Sequence, residues 1–293
     1  MSAVRHACID IGSNTTRLLV AECDGERVFD VHQERVFTRI GHGLRECSTI
    51  SEQKLAEVAE VVAAQVMLAH ELGVIAIHGV ATAAIRRAEN GAALLSAIET
   101  ACGLVVKVLS AEEEARLAFV GAARTLGHIP DGPLGVVDVG GGSSELVVGT
   151  APDCVGWWSS FEVGSGDLAD EFLRSDPPAR EELSAARAHV VGALGDLEPP
   201  HPVEAVAVGG SAASLSRLAG PRLDTATFER ALAVLTSRRA AEIARRFSLD
   251  RDRVRLLPAG LLILEAVSRL FGVTLAVGRG GIREGVLLEA AAQ

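Results

Sequence analysis

The chain has 293 residues, 48% of them hydrophobic, and a formal net charge of −10. That length suits two modest domains with a sizeable core. The acidic balance excludes a global pull on nucleic acid or an anionic membrane, so any polyanion has to be met by a local arginine cluster or a metal.

Lys54 and Lys107 are the lysines and every other cation is arginine, whose planar fork of donors suits phosphate, although G+C-rich coding favours it too. Cys8, Cys23, Cys47, Cys102 and Cys154 are widely spaced with no CxxC pair, which argues against structural zinc or a disulfide frame and fits a reducing cytosol. The chain shows no basic segment followed by an unbroken apolar one, nor a run of about 18 apolar residues. A soluble cytoplasmic protein is expected.

In chain order, Val4 to Ile11 and Thr15 to Cys23 read as strands joined by Gly12-Ser13-Asn14, a hairpin signal. A third strand lies within Arg27 to Ile40, broken by Gly41 and Gly43. Ser51 can cap a helix to Leu72, with apolar Leu55, Val58, Val62 and Val66 at helical spacing. Val74 to Val80 reads as a buried strand. Asn90 can cap a helix ending at Gly103. Leu104 to Leu109 is another strand, and Ser110 can cap a helix from Ala111 to Leu126.

The second half repeats this opening. Strands are predicted at Leu134 to Val139, Ser144 to Val148 and Val155 to Val163, the last carrying Trp157 and Trp158 as either a buried face or an exposed contact. Helices follow over Gly166 to Arg174 and Ala179 to Leu197, then a proline-rich connector at Pro199, Pro200 and Pro202. Val203 to Val208 is a strand running into Gly209-Gly210-Ser211. Helical stretches extend to Phe271, then a strand from Val273 to Val277 and a last helix from Ile282.

The repeat is visible residue by residue. With ACIDIGSNTTRLLV (Ala7 to Val20) laid over GVVDVGGGSSELVV (Gly135 to Val148), Asp10 falls on Asp138, Gly12 on Gly140, Thr15 and Thr16 on Ser143 and Ser144, and Arg17 on Glu145. Ile75 to Ile85 lies over Ala205 to Leu215 at nearly the same spacing. Two matched blocks imply an internal duplication. Hairpins ahead of crossover helices give two mixed sheets flanked by helices, facing each other across a cleft into which both glycine turns point. Consecutive glycines bare backbone N–H groups to a phosphate, and Asp138 and Glu145 are hard oxygen ligands of the kind Mg²⁺ uses.

Five stretches, DIGSNTTRLLV from Asp10, ATAAIRRAEN from Ala81, SAEEEARLAF from Ser110, DVGGGSSEL from Asp138 and GIREGVLLEA from Gly281, resemble the exopolyphosphatase/guanosine pentaphosphate phosphohydrolase family. The resemblance spans essentially the whole chain. It implies an α/β fold of two duplicated ribonuclease H-like, actin-like ATPase domains, here 1–128 and 129–293, with an interdomain cleft. It implies Mg²⁺-dependent hydrolysis of the terminal phosphate of inorganic polyphosphate, with Mn²⁺ as a substitute cation. Guanosine pentaphosphate 5′-phosphohydrolase is the alternative activity. A homodimer is common among relatives, and neither nucleic acid nor membrane is an expected partner.

Two departures stand out. Longer members carry an extra C-terminal helical domain, and this chain resembles the short two-domain type, which points to shorter polyphosphates. Where the family often has an arginine after the third strand of the second domain, this chain reads EVGSGDL, with Gly166 and Asp167.

By the family's pattern the catalytic base is the first glutamate of a pair, which selects Glu113, with Glu114 second. Glutamates in a first helical turn are also ordinary dipole partners. Asp10, Asp138 and Glu145 are the Mg²⁺ candidates. Asn14, Thr15, Gly141, Gly142, Ser143 and Ser144 would supply phosphate donors, and Arg17 and Arg86 resemble the family's phosphate-contacting arginines, with Arg87 facing solvent. Arg279 and Arg283 can extend a basic path. Two further readings remain open: an ATP-dependent kinase with an adenosine pocket at Gly209 to Ser211, and a non-catalytic polyphosphate or alarmone sensor.

Overall fold

The computed structural model describes residues 4–24 and 26–292. The first lobe opens with β1 (Val4–Ile11), β2 (Thr16–Cys23) and β3 (Val28–Val36), followed by α1 (Leu44–Cys47) and α2 (Glu52–Glu71). It continues through β4 (Ala76–Ala81), α3 (Ala83–Arg87), α4 (Gly91–Cys102), β5 (Val106–Val108) and α5 (Ala111–Arg124). The second lobe repeats the plan with β6 (Leu134–Val139), β7 (Ser144–Thr150), β8 (Cys154–Phe161), α6 (Ser165–Phe172), α7 (Arg180–Leu194), β9 (Glu204–Val208) and α8 (Gly209–Ala219). It ends with β10 (Arg222–Leu223), α9 (Thr225–Ser237), α10 (Ala240–Phe247), α11 (Arg251–Phe271), β11 (Leu275–Val277) and α12 (Ile282–Ala291).

Among the described residues the two sheets run β3-β2-β1-β4-β5 and β10-β11-β9-β6-β7-β8. In both, the opening three strands are antiparallel and the crossover strands are parallel. The duplication holds to the residue. Asp10 pairs with Arg17 on one side and Val80 on the other, and Asp138 pairs with Glu145 and Val208.

The local reasons are those of the sequence, with two exceptions. Ser51 accepts from the Lys54 amide at 3.3 Å and starts α2, whose Val58, Val62, Val66 and Ala69 are buried at helical spacing. Asn90 does not cap α4. Its side chain clasps the Ile50 backbone instead, donating to the carbonyl and accepting from the amide, each at 2.8 Å. α3 is the other surprise, a single turn after β4 ending in Arg86 and Arg87.

The cores do not follow the cut between the lobes. One face of the first sheet packs on α2 and α4, through Ile9, Ile11, Val62 and Leu94. Its other face is covered by α12 from the far end of the chain, through Cys8, Leu19, Val80 and Leu287. α5, from the first half, lies instead on the second sheet, where Phe119 meets Leu134, Val147 and Val206. α11 covers that sheet's opposite face. α5 and α12 cross at glycines: a Cβ at Gly121 would overlap the Gly281 carbonyl, and one at Gly285 the Leu117 carbonyl. Side chains there would hold the helices apart, so the close crossing needs glycine. No helix among the described residues is long and apolar enough to cross a membrane. Trp158 on β8 is partly exposed, while Trp157 packs on the core.

Candidate active site

Both glycine turns close in the same way. The Gly12 amide bonds the Thr15 carbonyl, and the Gly140 amide the Ser143 carbonyl, each at 3.0 Å. Outward-facing carbonyls of each turn are tied down by a following segment. Arg39 and Gly41 amides bond Asn14 and Ser13 carbonyls at 3.0 and 2.8 Å, and Gly166 and Asp167 amides bond the Gly141 carbonyl at 2.9 and 3.1 Å. Among the described residues, the Gly141 and Gly142 amides have no acceptor. The turns face each other so closely that a Cβ at Gly141 would lie 2.7 Å from Asn14 Nδ2, itself buried and without a partner.

Between them is an inner pocket of about 40 Å³. Asp10, Asn14, Thr15, Arg17, Asp138, Gly141, Gly142, Ser143 and Glu145 all line it, as sequence reasoning expected. Glu114 lines it too.

Four expectations are corrected. Glu113 is not in the pocket. It is the third residue of a capping box: its carboxylate accepts from the Ser110 amide at 2.8 Å, its own amide donates to Ser110 Oγ at 3.1 Å, and Lys107 Nζ sits 2.5 Å away. Neighbouring helical side chains diverge, so the next residue, Glu114, turns inward and is buried. Arg86 is not among the residues that line the pocket. It donates to the Leu109 carbonyl at 2.6 Å and to the Glu114 carboxylate. Ser144 points to the opposite side of β7 from Glu145 and donates to the Val163 carbonyl at 2.7 Å. Arg87, expected to face solvent, reaches across to Asp167 of the second lobe at 2.9 Å.

The electrostatics divide the pocket. Burial pushes Glu114 well above the usual carboxylate range, Glu145 adds to this, and Arg86 opposes it. Glu145 is raised by burial and by Asp138, while Ser143 and Ser160 hydroxyls donate to its Oε1 at 2.8 and 2.9 Å and pull it back. Asp138 is pushed up to about 6 by burial, partly offset by Arg17. Arg17 Nε stands 3.6 Å from Asp10 with no hydrogen-bond partner of its own.

Sequence reasoning missed Arg253, Thr82 and Ser165, which also line the pocket. Arg253 is buried in the first turn of α11, its Nε has no partner, and burial together with Arg17 and Arg35 pushes its pKa down to about 9. Its ring neighbour is Phe37 of the first lobe, 5.4 Å from the guanidinium carbon.

No three His, Cys, Asp or Glu side chains among the described residues converge closely enough to cage a metal, so Asp10, Asp138 and Glu145 do not form one closed ligand set. Glu145 is already engaged by two hydroxyls. Asp10 keeps a buried Oδ1 without a partner, and Asp138 lies across the same pocket. That pair fits Mg²⁺, which uses one or two carboxylates together with substrate phosphate and water rather than an all-protein cage.

Comparison with known proteins shows the family and the fold. The model of the Ppx/GppA phosphatase family matches residues 19–293. Exopolyphosphatase 1 of Mycobacterium tuberculosis is 28% identical over 97% of this chain and 88% of its own length. Exopolyphosphatase 2 of that organism is 31% identical over 75% and 72%. Among solved structures, the Aquifex aeolicus PPX-GPPA enzyme superposes with a TM-score of 0.79 at 29% identity, covering 98% of this chain and 99% of that one. An exopolyphosphatase from Cytophaga hutchinsonii shares the fold, with a TM-score of 0.87 at 22% identity.

Proposed function

We propose that this chain, which belongs to the Ppx/GppA phosphatase family, releases the terminal phosphate of inorganic polyphosphate. It is a phosphoanhydride hydrolase; the polyphosphate substrate, the cation and the residue roles are our reading. The observation that carries it is Glu114: a buried carboxylate, held by Arg86, in a pocket that both glycine turns line.

In this reading the terminal phosphoryl group sits between the turns. Gly141 and Gly142 amides, Ser143, Asn14 and Thr15 donate to its oxygens, and Arg17 and Arg253 offset its charge. Asp10 and Asp138 would hold Mg²⁺, which would supply positive charge to offset that of the phosphate oxygens. Glu114 orients a water and accepts its proton as the water oxygen bonds to phosphorus. The bridging P–O bond breaks, and the departing chain keeps that oxygen. The raised proton affinity of Glu114 suits a group that has to take a proton from water. Arg86 positions that base rather than touching substrate.

The test is phosphate release across a ladder of polyphosphate lengths, and from guanosine pentaphosphate, with and without Mg²⁺. Glu114→Gln should lower kcat by about a thousandfold, the scale of a lost general base, with KM within about tenfold. Retention of most activity would remove Glu114 from the chemistry. Preference for guanosine pentaphosphate would replace the substrate.

A further inference from the structure

The first three amides of α6 hold the second glycine turn. Ser165 donates to the Gly140 carbonyl at 2.9 Å, and Gly166 and Asp167 donate to the Gly141 carbonyl at 2.9 and 3.1 Å. The Ser165 hydroxyl adds a bond to the Gly140 carbonyl at 3.0 Å. Each of these carbonyls shares a planar peptide unit with the N–H of the next residue. Cis bonds among the described residues precede Pro152 and Pro177, so both of these units are trans, and their C=O and N–H point opposite ways. By holding the carbonyls, α6 turns the Gly141 and Gly142 N–H groups away from itself. Both residues line the inner pocket, and these are the two amides left without an acceptor.

α6 is in turn tied to the other lobe. Arg87 Nη1 donates to Asp167 Oδ2 at 2.9 Å, with the Asp167 side chain 7% exposed and that of Arg87 22%. The guanidinium also lies against the turn: a Cβ at Gly142 would sit 2.6 Å from Arg87 Nη2. A second tie, His42 Nδ1 to Asp170 Oδ2 at 2.8 Å, is exposed on both sides and contributes little.

Arg87 stands on a firm base. Just after α3, the Glu89 amide bonds the Ser48 carbonyl at 2.9 Å, and Gly91 packs so closely that a Cβ there would overlap the Ile85 carbonyl. The residue before it, Arg86, holds Glu114. One short helix therefore reaches both Glu114 and the support of the second turn.

We propose that Arg87 is a positioning residue for the reaction: by holding Asp167 across the lobe boundary it fixes α6, and through α6 the aim of the Gly141 and Gly142 N–H groups at the phosphoryl oxygens. This rests on the hydrolase reading above. Arg87 is not among the residues that line the inner pocket, so it acts through the turn rather than on substrate. Fixed donors stabilise charge that grows in the transition state, so a small misplacement lowers kcat more than it weakens binding. Seating the lobes and aiming the donors become one event, because lobes that part lose the Arg87–Asp167 pair and with it the hold on α6.

The test is a double-mutant cycle of Arg87→Gln and Asp167→Asn, read by steady-state phosphate release from tripolyphosphate. Each single substitution should lower kcat about thirtyfold with KM within about threefold. The double variant should lose no more than about threefold beyond either one, because the two residues act through each other. Arg87→Lys should recover kcat to within about fivefold of wild type. Single variants within about threefold of wild type, or a double variant that loses the product of both, overturn the proposal. Hydrogen exchange without substrate supplies a readout independent of activity. In Arg87→Gln the Ser165, Gly166 and Asp167 amides should exchange at least about tenfold faster, with β6 and α11 unchanged. Unchanged exchange in α6, or an equal rise throughout the protein, refutes the positioning role. Should Arg87→Gln fail to fold, Asp167→Asn carries both measurements. If wild type releases no phosphate from any polyphosphate, the hydrolase reading fails on its own, and the exchange result still decides whether Arg87 holds the turn.

Discussion

The two glycine turns share one backbone and differ in charge at one equivalent position. In the first, Asp10 stands across the strand pair from Arg17; in the second, Asp138 stands across from Glu145. Each turn closes with the same 3.0 Å hydrogen bond. Duplication thus supplied a symmetric frame, and a single pair of residues broke the symmetry. Arg17 has a charge that suits phosphate, whereas Glu145 adds to the raised proton affinity of Glu114. A duplicated fold can obtain two jobs from one geometry by changing the charge at one equivalent position.

The strongest way to break the comparison is to make the turns alike. Arg17→Glu puts an acid at both positions, removes the phosphate partner proposed above and adds a like charge beside Asp10. We expect kcat/KM to fall by at least about a thousandfold, the combined scale of a lost charged hydrogen bond and a new repulsion. Steady-state kinetics on polyphosphate checks this, and a loss under tenfold would show that Arg17 does not meet substrate.

Arg86→Gln sharpens the acidic half. Arg86 opposes the rise in the pKa of Glu114, so its removal raises that pKa further. A base must be ionised to work, so the acid limb of the kcat/KM profile should move upward by about one pH unit or more. A higher KM with an unmoved limb would instead return Arg86 to the phosphate contact that the sequence suggested.

Glu145→Gln separates stability from function. Burial raises Glu145 above its unfolded value, so the folded state holds the proton more tightly. Stability from this group is present at low pH and is lost as pH rises from the unfolded pKa through the folded one. Glutamine keeps an acceptor for Ser143 and Ser160 without the charge. The melting temperature should rise by a few degrees at pH 8, on the order of 1 kcal/mol, and by less at pH 5. Scanning calorimetry at the two pH values reads this, while activity should fall.

The smallest effect is expected from Glu113→Gln. Outside the pocket and in a capping box, it should change kcat less than about threefold and cost about 1 kcal/mol or less of stability, measured by urea unfolding.

The repeat, both turns and the order of strands were legible because each is a local pattern of glycine, acid and apolar residues. What failed was side-chain direction at neighbouring positions. Glu113 and Glu114 differ by one step around a helix, and Ser143 and Ser144 by one step along the chain. Arg86 and Arg87 end a short helix that the sequence reading did not include. One signal was available: Ser110-x-x-Glu113 is a capping-box spacing, and it claims Glu113 for the helix start. For Arg253 no local signal existed. It reaches the pocket only because α11 begins there, far along the chain from either turn. The return of α12 to the first sheet is equally non-local.

That return has a further consequence. Each sheet is roofed by a helix belonging to the other half of the polypeptide, α12 over the first and α5 over the second. A chain severed near Gly127 would leave one fragment with its Cys8, Leu19 and Val80 surface stripped bare, and would strand the other fragment's terminal helix without a seat. Neither fragment is a self-sufficient folding unit, and thermal melting of the intact protein should proceed as one cooperative event, however clearly its sequence records two ancestral copies.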